Sequence, residues 1–201
     1  MGEAARRKSE IATLKTKNKL WMDSLPREER IVAEVAQSAF DKIVIERGMT
    51  EGCYNIAFFL YEHLRRKHGI ETKIIIGWVN DGLWDGATSH AWVEYQGKKI
   101  DISIHKTSHP EAQPSGDVII LDHIAKRGKV SYTYWPTLPV EAEKALDRMC
   151  RNSPELKAIF THKEAEHQTM LTFASSQDGV AEYFRHAPPN NKYEFLASGV
   201  Y

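Results

Sequence analysis

Apolar residues recur with the period of an α-helix in two neighbouring stretches of the first third of the chain. The spacing i, i+3, i+4, i+7 predicts one helix over residues 26–47, which Gly48 ends, and a second over residues 52–68, which Gly69 ends. Thr50 is positioned to cap the second helix. The two apolar faces consist of Val32, Val35, Ala36, Ala39, Phe40 and Ile43, and then of Cys53, Ile56, Ala57, Leu60 and Leu64.

The pattern changes to that of β-strands after Gly69. The run Ile74-Ile75-Ile76 is apolar on both sides of a strand, so it predicts a central strand that is covered on both faces. Gln96-Gly97 separates two alternating segments and predicts a hairpin. The strands predicted in this way cover residues 72–79, 89–95, 98–104, 118–121 and 130–135.

Helical signals return after these strands. Pro139 suits the first turn of a helix, and Cys150 falls on its apolar face, where we expect it to be a core residue. Ser153-Pro154 predicts the cap and first residue of another, short helix. Beyond about His167 the pattern assigns no element. Helices followed by an antiparallel sheet indicate the α+β fold class.

Composition and charge exclude several classes of protein. The chain has 201 residues, of which 42% are hydrophobic, and 27 basic residues balance 27 acidic ones. No net field therefore favours nucleic acid as a partner. No apolar stretch approaches the roughly 18 residues of a membrane span, and the start lacks the apolar core of a signal peptide. We therefore expect a cytoplasmic protein with no membrane partner, whose two cysteines are reduced.

Charge also divides the chain into two parts. Residues 1–22 form a basic extension, and residues 23–201 are predicted to form a single domain. The extension is interpreted as a solvated or frayed terminus, with a nucleic-acid-binding arm as the alternative. Its basic residues are Arg6, Arg7, Lys8, Lys15, Lys17 and Lys19.

The predicted hairpin brings a histidine and an aspartate together. With Gln96-Gly97 as a two-residue turn, Tyr95 pairs with Lys98, and counting back from that pair places His90 and Asp101 on one face. They are diagonal neighbours, about 7–8 Å apart at the backbone, which their side chains can bridge. A carboxylate so placed fixes the tautomer and orientation of an imidazole. The other face is apolar and consists of Ala91, Val93, Ile100 and Ile102.

Cys53 lies in the first turn of the second predicted helix. A helix N-terminus stabilises negative charge, and a nearby imidazolium adds to this, so both favour the nucleophilic thiolate. A cysteine on an apolar helix face is otherwise a packing residue. The presence of His90 and Asp101 downstream is what indicates an activated nucleophile.

Two segments resemble the small microbial members of the transglutaminase-like superfamily. Gly52-Cys53 at a helix start, followed by Gly69-Ile70, is similar to the first half of that family's core. The stretch Ser89-His90-Ala91-Trp92-Val93-Glu94-Tyr95, followed by Ile100-Asp101, is similar to the second half. The resemblance covers residues 48–103, and the intervals of 37 and 11 residues from cysteine to histidine to aspartate fit the family. Two positions depart from its usual pattern, Ile102 in place of a proline and Tyr54 in place of an acidic or polar residue.

The resemblance implies a papain-like core, in which the cysteine helix packs on the antiparallel sheet. It implies that Cys53 is the nucleophile, His90 the general base and acid, and Asp101 its orienting partner. It suggests Gln37 as an oxyanion-hole donor, beside the backbone N–H of Cys53. Trp92 is expected either as a wall of the substrate cleft or as part of the core. No metal or cofactor is expected, and nothing resembles the calcium sites of the large animal transglutaminases.

The implied activity is cysteine-dependent acyl transfer through a thioester on Cys53, with a peptide or protein as the substrate. Hydrolysis by a peptidase or amidase is preferred over transfer to an amine. One alternative is a non-catalytic module that binds peptides or proteins on the same fold. Another is an arylamine N-acetyltransferase, although the Arg-Gly-Gly that leads into the cysteine of that family does not precede Cys53. The sequence does not indicate an oligomeric state.

Overall fold

An antiparallel sheet of six strands forms the centre of the protein in a computed structural model, which describes residues 3–200, with the side chains of residue 13 and residues 15–200. The strands follow the order β5-β4-β3-β2-β1-β6, and each neighbouring pair is antiparallel. They are β1 (Lys73–Asn80), β2 (Thr88–Tyr95), β3 (Lys98–Asp101), β4 (Val118–Ile120), β5 (His123–Lys126) and β6 (Thr133–Trp135). The predicted α+β class is confirmed.

Seven α-helices lie within the described part of the chain. They are α1 (Glu3–Ser24), α2 (Arg27–Ala39), α3 (Cys53–His68), α4 (Val140–Asn152), α5 (Pro154–Ala174), α6 (Gln177–His186) and α7 (Tyr193–Ala197). None of the helices among these residues combines the length and the apolar character needed to cross a lipid bilayer.

The two helices predicted in the first third of the chain are confirmed. The first is α2, which continues as a π-helical segment, Phe40–Glu46, and Gly48 follows with a φ of 73°. The second is α3, which ends at Gly69 in the left-handed conformation that glycine adopts without a steric cost. The predicted cap was wrong, because α3 begins after Gly52 and no side chain caps it.

Helices α2 and α3 cover one face of the sheet and form the hydrophobic core with it. Strand β1 is buried along most of its length, as the triple isoleucine predicted. Burial of these apolar side chains supplies the main driving force that holds α3, and with it Cys53, against β2. The largest fully buried apolar side chains include Ile43, Phe58, Leu60 and Leu64 from the helical side, and Ile100, Ile102 and Ile120 from the sheet side.

The hairpin of β2 and β3 has the predicted register. Gln96 and Gly97 have φ values of 50° and 77°, the two positive angles that a type I′ turn requires. Tyr95 pairs with Lys98, and the pairing continues through Glu94 with Lys99 and Val93 with Ile100. This register places His90 and Asp101 on the face opposite the helical core.

Aromatic side chains close that opposite face. Tyr134 from β6 lies edge-on to Trp92, with ring centroids 5.3 Å apart. A Cβ atom on Gly77 would lie 2.6 Å from the Trp92 ring and 2.5 Å from the backbone oxygen of Trp135. The glycine in β1 is therefore what allows Trp92 and β6 to approach each other over this strand.

Helix α1 continues through the predicted boundary at residue 22, and its C-terminal half docks on β5. Asn18 donates to the carbonyl of Ala125 at 2.6 Å and accepts from Nε2 of His123 at 2.9 Å. Trp21 stacks on His123, with ring centroids 4.1 Å apart. The side chains of Arg6, Arg7 and Lys8 lie outside the described residues, while Lys15, Lys17 and Lys19 are exposed.

The second half of the chain differs from the predictions in three ways. Strand β5 was not predicted, and β6 pairs with β1 at the far edge of the sheet. The cap at Ser153 is confirmed, because its Oγ accepts from the N–H of Leu156 at 3.2 Å, but the helix that it begins has 21 residues and is not short. Helices α6 and α7 lie in the region where the pattern assigned no element.

Candidate active site

His90 and Asp101 form a buried pair, as the hairpin predicted. His90 Nε2 lies 2.6 Å from Asp101 Oδ2, and the two residues are only 3% and 2% exposed. Because Nε2 is engaged by the carboxylate, Nδ1 is the ring nitrogen that remains for a second partner.

Three further hydrogen bonds hold the Asp101 carboxylate. Its Oδ1 accepts from the backbone N–H of Ser103 at 2.9 Å and from the hydroxyl of Ser103 at 2.8 Å. Its Oδ2 also accepts from the hydroxyl of Tyr134 at 2.8 Å. Both carboxylate oxygens are therefore satisfied inside the protein, which fixes the orientation of the side chain that in turn orients His90.

The pair is charged. Burial alone would raise the pKa of Asp101, but the charge of His90 and the hydrogen bonds from His90 and Ser103 outweigh it and lower that pKa. Burial alone would lower the pKa of His90, but attraction to Asp101 and Cys53 and hydrogen bonds to both raise it to about 10. An imidazolium thus lies between a carboxylate and a sulfur at neutral pH.

Cys53 is the first residue of α3, and its half-buried side chain lies near enough to His90 to help raise the pKa of that histidine. Since Nε2 of the ring binds Asp101, the geometry leaves Nδ1 for the cysteine. By helix geometry the backbone N–H of Cys53 has no acceptor within α3. Glu51, two residues before Cys53, has a φ of 54°, a left-handed conformation that costs a residue with a side chain about 1–2 kcal/mol. Strain of this kind is concentrated at functional sites, and here it lies close to the predicted nucleophile.

A cavity of about 620 Å³ opens in front of these groups, within the range of small-molecule and peptide sites. Cys53 and His90 lie on one wall, with parts of the loops 81–88 and 102–113. The facing wall is built by α4, α5 and Leu138. The three predicted catalytic residues are thus brought together, two of them at the cavity surface and Asp101 behind His90.

The two predicted substrate-binding residues lie elsewhere. Gln37 is not among the residues that line the cavity, and its amide donates to Asp41 one turn further along its own helix, at 3.2 Å. Its side chain points along the surface of α2, so the structure does not bring it to the nucleophile. Trp92 is 2% exposed and packs against Tyr134 beneath the site, which makes it a core residue and not a cleft wall.

Cys150 was predicted to lie in the core, and that prediction was wrong. The residue is half-buried and lines the same cavity as Cys53. Helix α4 buries Ala142 and Ala145 and turns the rest of its apolar face towards the open space, not into a packed core. Both thiols of the chain therefore face one cavity.

A second hydrogen-bonded chain, next to the His90–Asp101 pair, was not predicted. The hydroxyl of Tyr54 lies 2.7 Å from Oγ of Ser89, which in turn lies 2.6 Å from Nδ1 of His167. His167 is the buried residue of α5, it stacks on Trp78 at 4.6 Å, and burial lowers its pKa, opposed by the charge of Glu164. These two hydrogen bonds link Tyr54 through Ser89 to His167. They connect the neighbours of Cys53 and His90 to the helix that forms the facing wall.

Some of these residues carried a signal that sequence reasoning passed over. Ser103 was placed on the face of His90, and its position two residues after Asp101 suits a local hydrogen bond to that carboxylate. Tyr134 gave no such signal, because its contact depends on β6 pairing with β1. His167 carried no such signal either, because α5 contains a second histidine, His162, and the direct neighbours of His167 are the polar residues Glu166 and Gln168.

Among the residues that the structure describes, no group of three or more histidine, cysteine, aspartate or glutamate side chains is arranged to hold a metal ion. His105, which has helical spacing to His109 in the sequence, instead bonds through Nδ1 to the carbonyl of Gly116 at 2.8 Å.

Known proteins add no further assignment to the site. A scan against protein-family models, a search of curated proteins and a search of solved structures gave no match. The site is therefore interpreted from its own geometry.

The charged pair predicts how stability depends on pH. Because folding raises the pKa of His90 from 6.5 to about 10, its contribution is complete below about pH 6.5 and is lost as the pH rises towards 10. Because folding lowers the pKa of Asp101, its contribution is lost at acid pH, below about 4. Between pH 7 and 9 we expect the His90 contribution to fall by up to about 1.4 kcal/mol per pH unit. Urea unfolding at several pH values in this range measures the free energy of unfolding, and the double variant His90→Gln/Asp101→Asn is the control. If the free energy of unfolding changes with pH equally in the two proteins, the charged pair is contradicted.

The Ser89–His167 contact predicts an energetic coupling between β2 and α5. Ser89→Ala and His167→Ala, alone and together, form a double-mutant cycle, and we expect a coupling of about 0.5–1.5 kcal/mol in urea unfolding. Thr169 lies on the same helix, is exposed and bonds only to its own helix, so Thr169→Ala combined with Ser89→Ala is the matched control. Additive effects in both cycles would show that the hydrogen bond contributes nothing.

Proposed function

We propose that the protein is a cysteine-dependent acyl-transfer enzyme with the fold of the transglutaminase-like, papain-like core. The observation that carries this is the arrangement of Cys53, His90 and Asp101, in which the imidazolium binds Asp101 and interacts electrostatically with Cys53 at the wall of an open cavity. The fold assignment is supported by the position of the cysteine at the start of a helix that packs on a hairpin carrying the other two residues.

The reaction begins at the Cys53 sulfur. As the thiolate, it attacks the carbonyl carbon of a peptide or carboxamide that occupies the cavity, and the carbonyl oxygen gains the negative charge. The free backbone N–H of Cys53 at the helix N-terminus is the donor next to this oxygen. No side chain need take the role predicted for Gln37.

His90 then transfers the proton that completes the step. The N–H at Nδ1 donates to the nitrogen of the leaving amine as the carbon–nitrogen bond breaks, which leaves a thioester on Cys53 and a neutral imidazole. The same nitrogen next accepts a proton from water, which attacks the thioester and releases the acid. Asp101 keeps its charge throughout and holds the ring in the required tautomer.

Hydrolysis is the outcome that we prefer. Cys53 is only half-buried and lines an open cavity, so water can reach a thioester formed on it. A peptidase or amidase requires no second substrate other than water, so it is the simplest activity that accounts for the site. Transfer to an amine uses the same thioester and differs only in the molecule that attacks it, so product analysis distinguishes the two.

Selective alkylation tests the activated nucleophile without knowledge of the substrate. Cys53 and Cys150 are both half-buried and face one cavity, so a difference in their rates reports reactivity more than access. We expect iodoacetamide near neutral pH to label Cys53 first, and His90→Gln to slow this labelling about tenfold or more, because the imidazolium that stabilises the thiolate is lost. Peptide mapping by mass spectrometry gives both rates, and preferential labelling of Cys150 would contradict the proposal.

Activity screening tests the reaction itself. On peptide and glutamine-containing substrates, we expect Cys53→Ala to abolish turnover and Asp101→Asn to lower kcat by about 100-fold or more, because the imidazole loses its orienting charge. Cys150→Ser is the matched control and keeps activity within a few-fold. Turnover that survives in Cys53→Ala would refute the thioester route. A folded protein with a reactive Cys53 but no turnover on any substrate would favour the binding module.

A further inference from the structure

The side chains around the cavity carry an excess of negative charge. Five carboxylates line it but only two lysine ammonium groups. The carboxylates belong to Glu51, Glu143, Asp147, Glu164 and Glu166, and the ammonium groups to Lys106 and Lys163.

Internal pairing removes little of this excess. Lys163 Nζ lies 3.0 Å from Oε2 of Glu166, so these two charges offset each other. Among the residues whose side chains the structure describes, no ion pair neutralises the other four carboxylates. The wall that carries His90 does not compensate either, because the Asp101 carboxylate offsets the positive charge of His90 at 2.6 Å.

The same facing wall has an apolar part between its carboxylates. It consists of side chains from the segment before α4, from α4 and from α5, and Ile159 among them is 55% exposed. These residues are Leu138, Leu146, Ile159 and Phe160. A ligand in the cavity therefore meets hydrophobic surface opposite the nucleophile and carboxylates around it.

We propose that the site takes cationic substrates, namely peptides or carboxamides with a lysine-like or arginine-like group and an apolar group next to the reacting carbonyl. The reaction in this proposal is the one proposed above, whereas the charge selectivity rests on the cavity walls alone. A cleft lined by charge of one sign raises the local concentration and the association rate of oppositely charged molecules by a factor of about 10 or more. The carboxylates are mostly exposed, so the effect is largest at low ionic strength.

Charged thiol reagents of similar size measure this selectivity directly. In a Cys150→Ser protein, Cys53 is the only thiol of the chain. Three methanethiosulfonates serve as probes: neutral methyl, cationic trimethylammonioethyl and anionic sulfonatoethyl. In each case the thiolate attacks the sulfenyl sulfur, a mixed disulfide forms and methanesulfinate leaves. Rates are divided by those of 2-mercaptoethanol, which removes the intrinsic reactivity of each reagent.

We expect the normalised cation-to-anion rate ratio to be about 10 or more at low ionic strength and to fall as salt is added. Glu143→Gln/Asp147→Asn lowers the ratio several-fold. Glu141→Gln is the matched control, because Glu141 lies on the same helix but pairs with Lys144 and does not line the cavity. A ratio of one or less, or one that the double substitution leaves unchanged, would overturn the proposal.

The neutral reagent separates this inference from the proposed function. If His90→Gln slows methyl methanethiosulfonate but the charged reagents show no preference, the activated cysteine stands and the cationic substrate class is wrong. If the charge preference is present but His90→Gln leaves the neutral rate unchanged, the cavity selects cations and the proposed catalytic pair is wrong.

Discussion

The buried ion pair of His90 and Asp101 is the interaction on which the rest of the site depends. Both groups are withdrawn from water, and the removal of a charge from water costs several kcal/mol unless other partners replace the solvent. Here Ser103 and Tyr134 supply those partners, and Cys53 takes the free side of the imidazolium. The loss of one partner leaves a buried charge incompletely satisfied, so the members of this network depend on one another and their energies are not additive.

This requirement accounts for the shape of the sheet around the site. Asp101 ends β3, whereas Tyr134 comes from β6, with β1 and β2 lying between them. Three strand spacings amount to about 14 Å in a flat sheet, more than two such side chains span comfortably. The sheet is curled, and the missing side chain at Gly77 lets the Trp92 ring and β6 approach each other, so that Tyr134 reaches the carboxylate. The same packing of β6 against Trp92 therefore both closes this face of the sheet and brings Tyr134 within hydrogen-bond distance of Asp101.

Sequence reasoning succeeded where the determining interactions are local. The register of the hairpin follows from two residues, Gln96 and Gly97, and that register alone places His90 beside Asp101. Sequence reasoning failed where the position of a residue depends on contacts between distant segments. Tyr134 reaches the site because β6 pairs with β1, and His167 reaches it because α5 packs across the sheet. The role suggested for Gln37, that of an oxyanion-hole donor, came from the family resemblance and not from a local interaction in this sequence. In this chain its helix points the amide along its own surface, where Asp41 binds it.

The groups of the proposed reaction and those of the proposed substrate selectivity come from different parts of the chain. The reactive groups lie within residues 48–103, whereas the facing wall comes from residues 138–166, and α5 meets the sheet side of the site through His167 and Ser89, not through the ion pair. Side chains on the cavity face of α4 and α5 can therefore change without disturbing the buried charges. In the proposed reaction, the Cys53 sulfur attacks small electrophiles that reach the open cavity with little discrimination of its own. Discrimination must come from what enters the cavity, and its exposed carboxylates act on an approaching molecule before contact.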